Sequence, residues 1–440
     1  MGRRRTGKAS TAQRCMSQLL AALGTYLPHR GLPLICRDRR IRWTDRMQAI
    51  LAILMGWLPS PTQQEAFEAG REVLIEMYDS RRRPGKCLKG FLKTLARRSA
   101  QLLAVVAPSL RGAVMRIAGQ HWQWNQWVVM AVDGTRINCP RTEANEQAFG
   151  RAGRKKTCPQ LLLTTIFHLA TGLIWDWRRD RGDSAERNHL RQMLSALPRL
   201  TLLVADAGFT GYDLLAELLR GGHSFVIRVG SNVTLLKKLG YAVREYEGIV
   251  YLWPQNRRGQ APLILRLVRV CDGRKQMCLL TNVLDGSLLS DRDVAALYRR
   301  RWIVEVQYRS LKQTMRRRKM LSTTPDNARV ELDWAVVGLW MLELMVAEAV
   351  PRRDRHRWSV AEALKVLRRM IRGRQRPPAG GLQGQLRKAV IDRYTRRRPK
   401  SARNWPHKKR ERPPGQPRIR TASRSEVLLA QKRKVQKMVA

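Results

Sequence analysis

Apolar residues recur at helical spacing from about Thr11 to Gln120, as in Met47-Gln-Ala-Ile50-Leu51-Ala-Ile53-Leu54. Pro and Gly interrupt the pattern near Gly31 to Pro33, Pro59 to Pro61 and Pro84 to Gly85. Residues 1–122 are therefore expected to form a bundle of several short helices. Around Trp127 the period changes. Trp127-Val-Val-Met-Ala-Val-Asp133 is a continuous apolar run ending on an acid, and Leu161 to His168 and Gly172 to Trp177 read as two further strands. Asp183 or Ser184 caps an amphipathic helix reaching Leu197, followed by a strand over Thr201 to Asp206, a helix over Gly211 to Arg220 and a strand over Ser224 to Val229. The predicted order is β-β-β-α-β-α-β.

Strand candidates at Gly248 to Trp253, Pro262 to Val270 and Gln276 to Thr281 then form a β-rich insertion, about 231–284, in an α/β core spanning 123–350. Ser290-Asp-Arg-Asp caps a long helix, and helices are expected again over Val330 to Ala349 and Ser359 to Met370. Trp334 to Val350 is the most apolar long run, but Glu343 and Glu348 interrupt it, so it reads as a buried helix and not as a membrane span. Beyond about Arg372, within the C-terminal region 351–440, Pro, Gly and basic residues accumulate, as in Arg396-Arg-Arg-Pro-Lys400. That composition predicts a disordered basic tail.

Charge sharpens the picture. Lys and Arg number 85 against 34 Asp and Glu, a formal net charge of +51. No small-molecule reaction calls for such an excess, whereas DNA or RNA rewards it through its closely spaced phosphates. A solvated surface is the plain alternative. The seven cysteines form no CxxC pair or Cys/His ligand spacing, which argues for reduced cytosolic thiols and against a zinc finger. Met1-Gly-Arg-Arg-Arg-Thr-Gly-Lys8 lacks a following apolar core and reads as a basic arm, so a cytoplasmic, nucleoid-associated protein without a membrane is expected. Without a Gly-rich phosphate loop, ATP-driven chemistry has no support.

The most specific chemistry lies in Tyr298-Arg-Arg-Arg301-Trp-Ile-Val-Glu305-Val-Gln-Tyr-Arg-Ser-Leu-Lys312, where Tyr298, Arg301, Glu305 and Lys312 sit at offsets of zero, three, seven and fourteen. On an α-helix these directions return to within about 60° of one another. Asp133 and Asp206 each end a predicted strand, and in a sheet whose parallel strand lies beside the first their carboxylates converge. With Glu305 they make three hard oxygen donors, a set suited to Mg²⁺ or Mn²⁺. Two such ions, about 3.5 to 4 Å apart, would activate a water or a DNA 3′-hydroxyl and stabilise the departing oxygen, with Arg301, Lys312 and Tyr298 gripping the strand.

The Tyr298-x2-Arg301-x3-Glu305-x6-Lys312 spacing resembles the YREK signature of the insertion-sequence-four family of bacterial DDE transposases. Val132-Asp133-Gly134-Thr135 resembles that family's first-aspartate block, continued by Asn145 and Phe149-Gly150, and Leu203-Val-Ala-Asp206-Ala-Gly-Phe209 its second. The likeness spans about Val128 to Met345. It implies a ribonuclease H-like core with a β-strand insertion before the third acid. It also implies a dimer that cuts an element from DNA, typically through hairpin ends, and joins its 3′ ends to a target. The helical region 1–122 is expected, from position and charge, to recognise those ends. Two alternatives remain open at this point: a nuclease or resolvase without strand transfer, and a catalytically silent DNA-binding protein.

Overall fold

The computed structural model describes residues 11–29, 31–32, 43–78, 84–150, 158–272, 275–372, 380–389 and 415–439. The basic arm, the arginine runs Arg37–Arg42 and Arg81–Arg83, and the expected tail over 390–414 lie outside the described residues.

The first four helices are α1 (Thr11–Tyr26), α2 (Asp45–Trp57), α3 (Gln63–Met77) and α4 (Leu88–Ala118). The Thr44 and Thr62 hydroxyls accept the N–H groups of Met47 and Glu65, satisfying donors that α2 and α3 leave unpaired at their first turns. Gly119 ends α4 at φ +52°, a left-handed conformation that lets the chain turn toward the sheet.

The central strands follow. β1 (Val128–Asn138) leads through α5 (Glu143–Phe149) to β2 (Gln160–His168) and β3 (Leu173–Arg181), then come α6 (Glu186–Met193), β4 (Thr201–Ala205), α7 (Tyr212–Arg220) and β5 (Ser224–Val229). The expected element order holds, with α5 added. β1, β2 and β3 are an antiparallel meander, while β1, β4 and β5 run parallel. Val128 to Val132 are buried, as expected for a strand paired on both edges and covered on both faces.

One expectation changes here. β1 does not stop at Asp133 but runs on to Asn138, pairing with β2 after β4 has ended. The insertion joins the core sheet. Its strands β6 (Thr234–Lys237), β7 (Ile249–Leu252), β8 (Leu263–Asp272) and β9 (Lys275–Thr281) continue the same sheet, because β9 satisfies the open edge of β5.

The helices α8 (Asp291–Arg300), α9 (Ile303–Arg309), α10 (Pro325–Ala349), α11 (Val360–Ile371) and α12 (Gly381–Arg387) come next. The chain ends with β10 (Arg418–Thr421) and α13 (Arg424–Val439). The full sheet order is β10-β6-β7-β8-β9-β5-β4-β1-β2-β3. β10 corrects the expectation of a disordered tail for residues 415–439. It adds to the exposed edge of β6, and Glu426 on α13 holds both Arg258 and Arg420, so part of the tail's charge is neutralised within the fold.

α10 is the buried helix expected from its apolar run, covered on almost every side. The Trp57 indole N–H donates to the Gly338 carbonyl at 2.9 Å, and that of Trp334 donates to Ser99 Oγ at 3.0 Å, fastening the N-terminal helices to it. On its other side Asp333 accepts from the Trp177 indole at 3.0 Å and pairs with Arg179 at 2.8 Å, tying α10 to β3. α4 is long and apolar enough to cross a membrane by length and composition, and its apolar residues pack into the same core as α10.

Candidate active site

The register of β1 against β4 aligns Val132 with Ala205, so Asp133 and Asp206 are the next residues on two neighbouring parallel strands, at the carboxyl end of β4. Neighbouring strands lie about 4.8 Å apart. The two aspartates are therefore brought side by side, as the sequence predicted. Asp133 Oδ1 accepts its own following N–H, of Gly134, at 2.8 Å, and the Tyr308 hydroxyl donates to the Asp133 carbonyl at 2.5 Å. Asp206 Oδ1 accepts the Ala207 N–H at 2.8 Å and the Tyr298 hydroxyl at 3.0 Å, with Arg228 on β5 at 4.0 Å. Asp206 Oδ2 has no hydrogen-bond or ionic partner among the described residues.

The single long helix expected to carry Tyr298 through Lys312 is instead wound in three ways. α8 ends at Arg300, and the N–H groups of Arg301, Trp302, Val304 and Glu305 reach back only three residues. α9 then loosens into a π-helical turn over Ser310–Thr314. Three-residue bonds tighten a helix and five-residue bonds widen it, so side-chain directions depart from those of a uniform helix; both distortions recur at functional sites. Tyr298, Arg301 and Glu305 still face the aspartates, while Lys312 reaches Thr135, two residues beyond Asp133. Arg301 Nη1 donates to Asp133 Oδ2 at 2.9 Å and Nη2 lies 3.6 Å from Glu305 Oε1, while Lys312 Nζ donates to Thr135 Oγ1 at 2.6 Å.

Sequence reasoning placed Arg301 on DNA phosphates; in this structure its guanidinium lies between two carboxylates. Asp133 has its pKa raised by burial, against the lowering effect of Arg301, and Asp206 raises it further. Glu305 is raised by desolvation and then by Asp133 and Asp206, which marks the three acids as electrostatic neighbours. A fourth carboxylate, Glu186 on α6, is raised by burial and by the same two aspartates. The sequence did not single it out.

Among the described residues no group of three or more His, Cys, Asp or Glu is drawn tightly enough to hold a metal ion as it stands. The donor set nevertheless fits a hard divalent cation. Every candidate ligand is a carboxylate, Asp206 and Glu305 are open at 38% and 37% side-chain exposure, and the positive charge such a cluster requires is at present the Arg301 guanidinium. Asn145, from the block following the first aspartate, donates from a fully buried position to the Pro140 and Ser322 carbonyls, and so ties the exit of β1 to the segment after Lys312.

Behind α9 lies another acid, which the sequence showed only as an interruption of an apolar run. Glu343 on α10 is fully buried, and the polar side chain facing it is Gln307 of α9. Burial raises its pKa well above the usual carboxylate value. The unfolded chain releases this proton near its ordinary pKa and the folded chain does not, so the contribution to stability is full below that value and declines as pH rises through neutrality. Glu343→Gln is expected to melt higher than the parent at pH 8 and to lose most of that advantage at pH 4. Equal melting temperatures at both values would refute a neutral Glu343.

The Transposase DDE domain family matches residues 124–341. The chain is also similar to the transposase InsG for insertion sequence element IS4 of Escherichia coli strain K12, with 26% identity over 316 residues, which cover 67% of this chain and 70% of that protein. It belongs to the insertion-sequence-four family of DDE transposases. Among solved structures, the piggyBac transposase synaptic complex with hairpin DNA is similar at 10% identity over 88% of this chain and 87% of that one, with a TM-score of 0.38, too loose a likeness to carry any argument.

Proposed function

We propose that the chain is a cut-and-paste transposase that cleaves DNA at element ends and transfers the freed 3′ ends to a target. The carrying observation is the side-by-side placement of Asp133 and Asp206, with α9 bringing Glu305 to them. The strand order β3-β2-β1-β4-β5, antiparallel and then parallel, fits a ribonuclease H-like core within 123–350, extended by the insertion. Asp133, Asp206 and Glu305 hold Mg²⁺ or Mn²⁺, as two ions. Bound there, the metal supplies Lewis-acid stabilisation of the phosphodiester and of the attacking oxygen.

The protein's own groups do the rest. Lys312, beside Thr135, and Tyr298, beside Asp206, face the same edge and position the strand. Arg301 pairs with Asp133 in this structure, and with a cation on the carboxylates its guanidinium would be available to a phosphate. The +51 charge supports DNA as the partner, the helices within 1–122 bind the ends, and the protein acts as a homodimer in the cytoplasm on nucleoid DNA.

The test is to incubate the purified chain and Mg²⁺ with its own element ends and a supercoiled target. Joined end-to-target molecules are expected. Cut ends without joined product would favour a nuclease or resolvase, and specific binding without cutting would identify a silent DNA-binding protein.

A further inference from the structure

Glu186 begins α6, where an acid is ordinarily explained by the partial positive charge of the helix N-terminus. Its geometry does not match that explanation. Its carboxylate accepts no hydrogen bond and makes no ion pair with any described residue, and it lies against the backbone of β1 at Gly134 and of the turn after Asp206. A Cβ on Gly134, the residue after Asp133, would meet Glu186 Oε1 at 2.2 Å and Cδ at 2.5 Å. A Cβ on Gly208, two residues after Asp206, would stand 3.4 Å from Oε2. The carboxylate thus lies in a slot between β1 and the turn after β4 that exists because Gly134 has no side chain. Gly134 needs no left-handed φ, so its conformation does not account for glycine there. Close approach of Glu186 does.

An unpaired carboxylate held beside two aspartates costs energy through repulsion and lost hydration unless a cation joins them. Arg136 is the nearest compensating charge, but its guanidinium is directed to the Gly182 carbonyl at 2.8 Å. We propose that Glu186 is a fourth carboxylate of the divalent-cation site, taking the metal together with Asp133 and Asp206. This rests on the metal-site reading above.

The experiment titrates Mn²⁺ alone into the full-length chain by calorimetry and follows melting with and without the ion, for the parent, Glu186→Gln, Gly134→Ala and Asp133→Asn. Glu186→Gln is expected to weaken Mn²⁺ binding about tenfold or more while leaving the ion-free protein at least as stable as the parent, since a repelling charge has gone. Gly134→Ala is expected to show the same weakening with Glu186 intact, because the added methyl displaces its carboxylate. The double variant Gly134→Ala/Glu186→Gln should be no weaker than either single change. Unchanged affinity in Glu186→Gln, with affinity lost in Asp133→Asn, would overturn the inference and leave the site standing. So would a fall in the melting point of Glu186→Gln without a change in affinity, the mark of a structural acid. If the parent binds no Mn²⁺, the metal-site reading fails together with this one.

Discussion

Replacing Asp206 by Asn is expected to slow Mg²⁺-dependent cleavage by roughly a thousandfold or more, the scale on which one well-placed electrostatic contact to a transition state acts. The change removes charge and little else. The Asn side-chain oxygen can still accept the Ala207 N–H and the Tyr298 hydroxyl, so the turn after β4 and the seat of α8 should survive. The Asp206 carboxylate is among the more exposed of the cluster, and its Oδ2 is free, which makes it the acid most available to a cation. Single-turnover cleavage of an end-bearing duplex measures the loss, and circular dichroism melting checks the fold. A variant that melts like the parent and cuts within about tenfold of it would remove Asp206 from the chemistry, because loss of an essential ligand costs more than that.

The central strands are legible in the sequence because each is a continuous apolar run closed by turn residues, and the acids at or next to two of their ends stand out against that background. The end of β1 is not legible. The apolar run stops at Asp133-Gly134, but pairing with β2 keeps the chain extended to Asn138. Periodicity likewise assigned one helix to Tyr298 through Lys312. An apolar stripe survives a tightened turn at Arg301 and a widened one at Ser310, so nothing in the pattern records either. β10 escapes for another reason. Arg418-Ile-Arg-Thr421 has neither the apolar content nor the length of a free-standing strand and is ordered by the edge of β6, distant along the chain, with Glu426 holding Arg420. Glu186 is the instructive case at the site: as a helix-opening acid it has a sufficient local explanation, and only the missing Cβ of Gly134, fifty-two positions earlier, assigns it elsewhere.

The largest loss of stability is expected from Trp57→Ala, about 3–5 kcal/mol for a fully buried aromatic. Trp57 closes α2 with no exposed surface, and its indole N–H is given to the Gly338 carbonyl in the middle of α10. Truncation leaves a cavity between the two helices and also deprives that carbonyl of its side-chain donor. The result bears on how the chain is divided. If residues 1–122 fold as a unit of their own, the variant should split denaturant unfolding into two transitions, with the catalytic core unaffected. The packing predicts otherwise, because Trp334 reaches Ser99 from the opposite direction and a continuous apolar core runs through both regions. One transition is expected, shifted to lower denaturant with its slope preserved. Two separated transitions, followed by tryptophan fluorescence and by circular dichroism, would show that α10 belongs to the core alone and that the N-terminal helices can move as a body on DNA.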